Sequence, residues 1–199
     1  MHPRLNVLAS AIALFLLANC GGSGSAVRPT SAFTDQDTRL FEDGLDLVGD
    51  PDGLTGRWAD DWSNEMRDRV ERSDFVALVT VNTLRTDIDP EQQTTHWLLV
   101  GIDDVLKGRD KAREISLASP QAAIGFQSVD RERATILRKP LVLLAKWVAQ
   151  PNGGVRPAWH LAPASREVVA AVRSHLRIEA PPPSTIVETH ESDSKTLRR

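Results

Sequence analysis

The sequence predicts an α+β fold: a small, five-stranded, mainly antiparallel β structure preceded by two helices and followed by one. Three observations predict it. Apolar runs at residues 75–84, 94–106, 114–118, 141–148 and 155–161 are separated by turn-forming clusters, which suits strands joined by short connections. Before them, Leu54, Trp58, Trp62, Met66 and Val70 recur every four residues, the spacing of one helical stripe. After them, Val168, Val169, Val172 and Leu176 mark the inner face of a last helix.

Composition limits the function classes. Of 199 residues, 41% are apolar and 26% charged, which fits a folded body rather than a membrane-spanning or disordered chain. The formal charge is −3, and no long basic block occurs, so nucleic acid is not an expected partner. A single cysteine, Cys20, rules out an internal disulfide, so the core alone must hold the fold. The expected organisation is a signal peptide at 1–19, a tether at 20–32, one globular domain at 33–178 and a disordered tail at 179–199.

The N-terminus carries Arg4 and then an apolar run, 11–18, too short for a spanning helix and suited to a signal peptide. Leu17-Ala18-Asn19-Cys20 follows and resembles the bacterial lipobox, with Leu at −3, a small residue at −2 and the lipidated Cys at +1. It departs at −1, where Gly, Ala or Ser is usual and Asn19 stands. The resemblance implies that Cys20 carries acyl chains that insert into a lipid bilayer. It also implies an outer-membrane destination, because Gly21 occupies the position where Asp favours inner-membrane retention. Each buried methylene contributes about 0.8 kcal/mol, so two or three chains anchor stably where one does not. The competing reading is an ordinary secretory signal with an incidental cysteine. Cleavage before Cys20 would remove Arg4 and leave 23 basic against 27 acidic residues, a charge of −4. The Gly/Ser-rich stretch after it is a coil whose reach, from Cys20 to Phe33, is roughly 20 Å.

The body begins with a helix over 34–48. Thr34 can cap it, Asp37 sits three residues on, and Leu40, Phe41, Gly44, Leu45 and Val48 share a helical face before Gly49. A hairpin about Asp43-Gly44 competes. Asp50-Pro51-Asp52-Gly53 fails as a calcium loop, because Val48 and Ala59 would stand at the first and last ligand positions. Asp50 as cap and Pro51 in the first turn is the better account. Two tryptophans four apart, Trp58 and Trp62, could form a partner-binding ridge; packing on a sheet is the favoured reading. Residues 86–93 read as a polar loop, Gly101 as a site for a bulge, Ser119-Pro120 as a strand stop, and 130–137 as a short helix within an irregular excursion, 121–138. Gln150-Pro151-Asn152-Gly153-Gly154 is a turn.

Over roughly 73–162 the pattern resembles a family. A strand opened by Asp74, a strand ending Val105-Leu106-Lys107-Gly108, a short alternating strand, a glycine-containing excursion, Leu141-Val142-Leu143-Leu144 and a strand bearing Trp159 are similar to the netrin-like/TIMP-like OB-fold. The resemblance implies closure into a five-stranded OB-like β-barrel and allows a protease-inhibitor-like module. The chain lacks the pairing cysteines of that family's secreted members. Arg57-Trp58-Ala59-Asp60-Asp61-Trp62, Thr83-Leu84-Arg85-Thr86-Asp87 and Ala158-Trp159-His160-Leu161-Ala162-Pro163-Ala164-Ser165 resemble lipoproteins of myxobacterial type, which implies compartment and fold and no activity.

Catalytic and metal constellations are not legible. His96 and His160 lie on different strands without zinc-type spacing; His96, beside Trp97, reads as an exposed or edge residue, and His175 as a complement to the last helix's C-terminus. Ser116 and Ser119 have no evident base, and Asp103 and Asp104, adjacent in a strand, should face opposite sides. No catalytic, cofactor-binding or metal-binding residue is therefore assigned, and the single candidate site residue is Cys20. The expected function is a non-catalytic binding or scaffolding lipoprotein of the cell envelope, anchored in the bilayer through acylated Cys20, with an envelope protein or glycan as partner. The alternatives are the inhibitor-like module and a hydrolase whose site is assembled from distant residues. Expected contact surfaces are 86–93, 121–138 and any exposed part of Trp58 and Trp62.

Overall fold

The computed structural model describes residues 29, 31–109 and 112–179. The expected signal segment 1–19 and Cys20 lie outside the described residues, as does the tail expected at 179–199 apart from Glu179, which ends the last helix. The described chain is α+β, and its elements follow in order: α1 (Asp35–Leu40), β1 (Gly44–Leu45), a 3-10 turn (Pro51–Gly53), α2 (Arg57–Arg72), β2 (Phe75–Ile88), β3 (Thr94–Lys107), β4 (Glu114–Pro120), α3 (Phe126–Glu132), β5 (Pro140–Ala149), β6 (Val155–Pro163) and α4 (Arg166–Glu179). No helix among the described residues is long and apolar enough to cross a membrane.

The start of α1 is the expected capping box, with the Thr34 side chain accepting from the Asp37 main-chain N–H and the Asp37 carboxylate accepting from that of Thr34. Asp37 also accepts from Arg72 Nε at 2.7 Å. Burial works against its charge, but the Arg72 and Thr34 hydrogen bonds outweigh burial and hold its pKa below the usual carboxylate value. The helix expected over 34–48 is corrected: it ends at Leu40, and Gly44–Leu45 is a strand. Phe41 leaves helical geometry at φ −116°, ψ 73°, and Asp43 turns left-handed at φ 54°. The competing hairpin is not formed either, because β1 pairs in parallel with the distant β6, Gly44 opposite His160 and Leu45 opposite Leu161.

Asp50 caps the 3-10 turn as expected, accepting from the Gly53 N–H. That turn and α2 are separate, with Gly56 at φ 58° between them, a conformation glycine adopts without a steric penalty. The four-residue stripe splits along α2: Met66 and Val70 are fully buried, Trp62 is half-buried, and Trp58 is 75% exposed.

The sheet has six strands in the order β1-β6-β5-β2-β3-β4, all neighbours antiparallel except β1 and β6. The closed five-stranded barrel is corrected to a curled, open sheet, since no ladder joins β1 to β4. Its two edges still meet through side chains. Trp159 Nε1 on β6 donates to Ala118 O on β4 at 2.9 Å, and Ser119 Oγ on β4 donates to Asp43 O beside β1 at 2.7 Å. Register slips in β2 between Val76/Ala77, Leu78/Val79 and Val81/Thr83 supply local bends, with Gly101 facing this irregular stretch.

Strand alternation separates two cores. Ala77, Val79 and Val81 of β2, Leu98 and Val100 of β3, Leu143 and Ala145 of β5, and Trp159 and Leu161 of β6 face the inside of the curl with Val129 of α3. Val76, Val142, Leu144, Ala158 and Ala162 face the other way, under Leu40, Met66, Val70, Val168 and Val172 of α1, α2 and α4. Strand β5 is covered on both faces, which accounts for its unbroken apolar run.

Three boundaries differ from expectation. Strand β2 runs on to Ile88, because Thr86 and Asp87 pair with His96 and Thr95, so the polar loop shrinks to a turn closed by Asp89 and Gln93. Strand β4 continues through Ser119 to Pro120, whose missing N–H is tolerated at a strand end. The excursion helix is Phe126–Glu132 rather than 130–137; it starts earlier because Phe126 and Val129 cover the inner core.

Candidate ligand cleft

The exposed half of α2 faces a cleft of about 420 Å³. Helical spacing places Trp58, Trp62, Glu65 and Arg69 along its α2 wall. The opposite wall comes from the chain between α1 and the 3-10 turn, with Glu42, Asp46 and Val48, and from Arg39 of α1. Pairing of β1 with β6 brings His160 to the floor.

Most cleft residues are fixed in place. Trp62 Nε1 donates to Asp46 Oδ2 at 3.0 Å, and Asp46 Oδ1 accepts from the Val48 N–H at 2.9 Å. Arg69, itself buried, donates from Nε to Leu40 O at 3.0 Å and from Nη2 to Glu65 Oε2 at 3.1 Å. His160 differs. It is 1% exposed, and neither ring nitrogen has a hydrogen-bond partner among the described residues. The nearest carboxylate oxygen, Glu42 Oε1, lies 3.9 Å from Nδ1, too far for a hydrogen bond.

Electrostatics set the protonation of this group of residues. Burial, and then the Arg69 guanidinium, push the His160 pKa well below its ordinary value, so the ring is neutral at pH 7 with one donor and one acceptor nitrogen. Burial raises the Glu42 pKa; Arg69 opposes the rise, while Glu65 and Asp46 add to it. The lining thus offers hydrogen-bond acceptors in excess beside an aromatic wall.

The other histidines depart from expectation. His96 is 1% exposed rather than an edge residue, stacked on Phe126 with ring centroids 4.7 Å apart. Thr86 Oγ1 lies 2.9 Å from its Nδ1, and Asp130 Oδ1 3.3 Å from its Nε2 without hydrogen-bond alignment. Thr86, His96 and Asp130 therefore come together, and the buried ring links the sheet to α3. His175 is half-buried, and burial, then Arg67, lower its pKa, so it is not a cation at the end of α4. Asp103 accepts from Thr80 Oγ1 at 2.8 Å, and Asp104 lies 3.9 Å from Arg173 on α4, so each has its own partner. Ser119 Oγ is engaged by Asp43 O, and Ser116 lies exposed beside Trp97. Among the described residues, no group of three or more His, Cys, Asp or Glu could hold a metal ion.

Sequence reasoning identified Trp58 and Trp62 and missed Glu42, Asp46, Glu65, Arg69 and the role of His160. One signal was available. Positions 58, 62, 65 and 69 follow the i, i+4, i+7, i+11 spacing of a single helical face, so the tryptophan ridge continues into an ion pair. No protein-family model matches the chain, and no curated protein sequence matches it.

Proposed function

We propose that the protein is an envelope lipoprotein, anchored in the bilayer through acylated Cys20, whose folded body is a non-catalytic module that binds or scaffolds an envelope protein or glycan. The observation that carries the binding part is Trp58. An indole left 75% exposed on a cleft wall, above a buried and unpartnered imidazole, leaves apolar area and hydrogen-bonding capacity for something outside the fold. We read the curled sheet as an opened form of an OB-like barrel, in which the Trp159–Ala118 and Ser119–Asp43 bonds stand in for a closing ladder.

The anchor and the module are tested separately. Cys20→Ser should release the protein from membranes and abolish acyl labelling; retention of both would sink the anchor. Crosslinking of the tagged, lipidated protein in its own envelope should recover a protein or a glycan, and repeated recovery of neither would sink the module.

A further inference from the structure

We infer that the cleft between α2 and the 39–48 segment takes an uncharged saccharide, one pyranose stacked on Trp58 with its hydroxyls turned to Glu42 and the floor at His160. The inference deepens the binding-module reading and rests on it, but it does not depend on the anchor.

Three observations select this chemistry. First, Trp58 presents an open indole face, and a pyranose ring has an apolar face of C–H groups that packs against the electron-rich side of an indole. Second, the polar lining favours a ligand rich in O–H donors. Glu42, Asp46, Asp61 and Glu65 supply carboxylate oxygens, against the two guanidiniums of Arg39 and Arg69. An anionic sugar would meet four carboxylates, an excess of two over the guanidiniums. Third, His160 is neutral, with one nitrogen needing an acceptor and the other a donor, and neither is matched within the fold. A hydroxyl is both donor and acceptor. An ammonium group is a donor only, and it would leave the imidazole N–H without an acceptor. The aromatic wall and the carboxylates alone would suit a cation; the imidazole, which needs both a donor and an acceptor, argues for a neutral polyol.

The cleft, about 420 Å³, has the size of a site for a small ligand, so a chain would place one or two residues in it and run on past the exposed edge of Trp58.

The test is calorimetric titration of the full-length, detergent-solubilised protein with three neutral oligosaccharides, maltohexaose, cellohexaose and N-acetylchitohexaose, and with polygalacturonate and choline as charged probes. At least one neutral oligosaccharide should bind and both charged probes should fail. Trp58→Ala should weaken that binding roughly tenfold or more, with an unchanged thermal midpoint, because the removed side chain is largely outside the core. Glu42→Gln, which keeps shape and loses charge, should weaken it less. Failure of all three neutral probes, equal binding by Trp58→Ala, or preference for choline or polygalacturonate would each overturn the saccharide assignment. A protein partner crosslinked at Trp58 without any sugar binding would also overturn it, while leaving the binding-module reading in place.

Discussion

Asp43 and Trp159 exchange two hydrogen bonds: the Asp43 main-chain N–H donates to Trp159 O at 2.9 Å, and the Trp159 main-chain N–H donates to Asp43 Oδ1 at 3.0 Å. The Asp43 carbonyl then accepts from Ser119 Oγ, so one residue joins β6 to β4 across the open side of the sheet. The residue sits at φ 54°, a left-handed conformation that Asp tolerates better than most because its short side chain can bond locally.

Replacing Asp43 should expose both roles. Asp43→Ala leaves the buried Trp159 N–H without its acceptor and places a less tolerant residue at positive φ, for a combined loss of about 3 kcal/mol. Asp43→Asn keeps an acceptor oxygen and the left-handed tolerance, and should lose no more than about 1 kcal/mol near neutral pH. Urea denaturation of the two variants against the parent separates them; equal losses would show that the Asp43–Trp159 bond does not matter.

Asp43 and His160 give stability opposite pH slopes. Burial raises the Asp43 pKa from 3.8 to about 6, against the opposing pull of Arg156 and the Trp159 N–H. The folded state therefore holds a proton that the unfolded state has lost, and the contribution of Asp43 falls as pH rises from 3.8 to about 6. The span corresponds to roughly 3 kcal/mol at about 1.4 kcal/mol per pH unit. His160 is held below its unfolded value of 6.5, so its contribution is present above pH 6.5 and is lost as pH falls below it. Subtracting the Asp43→Asn stability curve from that of the parent should leave a difference that declines across the Asp43 window. The same subtraction with His160→Phe should leave a difference that rises toward pH 6.5. Two differences that slope the same way with pH would contradict the burial of one or both groups.

Local signals read well here and long-range ones did not. The Thr34–Asp37 capping box, the Asp50 cap and the runs of β2, β3, β5 and β6 all come from residues close in sequence, and each was visible as a pattern. Strand β1 was not. Leu40, Phe41, Gly44, Leu45 and Val48 fit a helical face as well as anything else, and only the pairing of Gly44–Leu45 with a strand more than a hundred residues later decides against it. The cleft is hidden for the same reason, since its walls come from 39–48 and α2 and its floor from β6. His96 looked exposed because its position beside Trp97 says nothing about which strand face α3 covers.

The meeting of β1 with α3 depends on two glycines, and close approach is the reason. A Cβ on Gly44 would stand 2.5 Å from Gly125 Cα, and one on Gly125 would stand 2.3 Å from Gly44 Cα. Both obstacles are backbone, so no side chain can swing aside. The crossing is also bonded, with Gly125 N–H to Glu42 O at 2.8 Å and Leu45 N–H to Ser128 Oγ at 2.8 Å. Gly44→Ala and Gly125→Ala should each destabilise by about 3 kcal/mol or more. Gly49→Ala is the control, since its added Cβ would meet only Pro163 Cβ, at an ordinary 3.9 Å. Thermal melts that rank Gly49→Ala with the other two would remove the crossing as their cause.

The C-terminus of α2 is closed by cations from the sheet. Lys107 Nζ donates to Val70 O and Glu71 O, both at 3.0 Å, and Lys146 Nζ donates to Arg72 O at 3.3 Å and to Ser31 Oγ at 2.7 Å. The last carbonyls of a helix lack partners within it and carry the negative end of its dipole, so an ammonium there is favourable twice over. Lys146 is 2% exposed, and it is the one charged side chain in an otherwise apolar strand. Lys146→Met keeps the stem and removes the donors. A buried, unsatisfied carbonyl would cost up to about 3 kcal/mol, but Arg72 borders an open groove of about 700 Å³ through which water can reach the carbonyl. The expected loss is therefore about 1 kcal/mol globally, with a larger local effect: faster amide exchange in the last turn of α2 and at Ser31. Lys146→Arg should not restore the parent, because a planar fork does not fit a slot shaped for a single ammonium. Unchanged exchange at α2 in Lys146→Met would mean that Lys107 alone closes the helix.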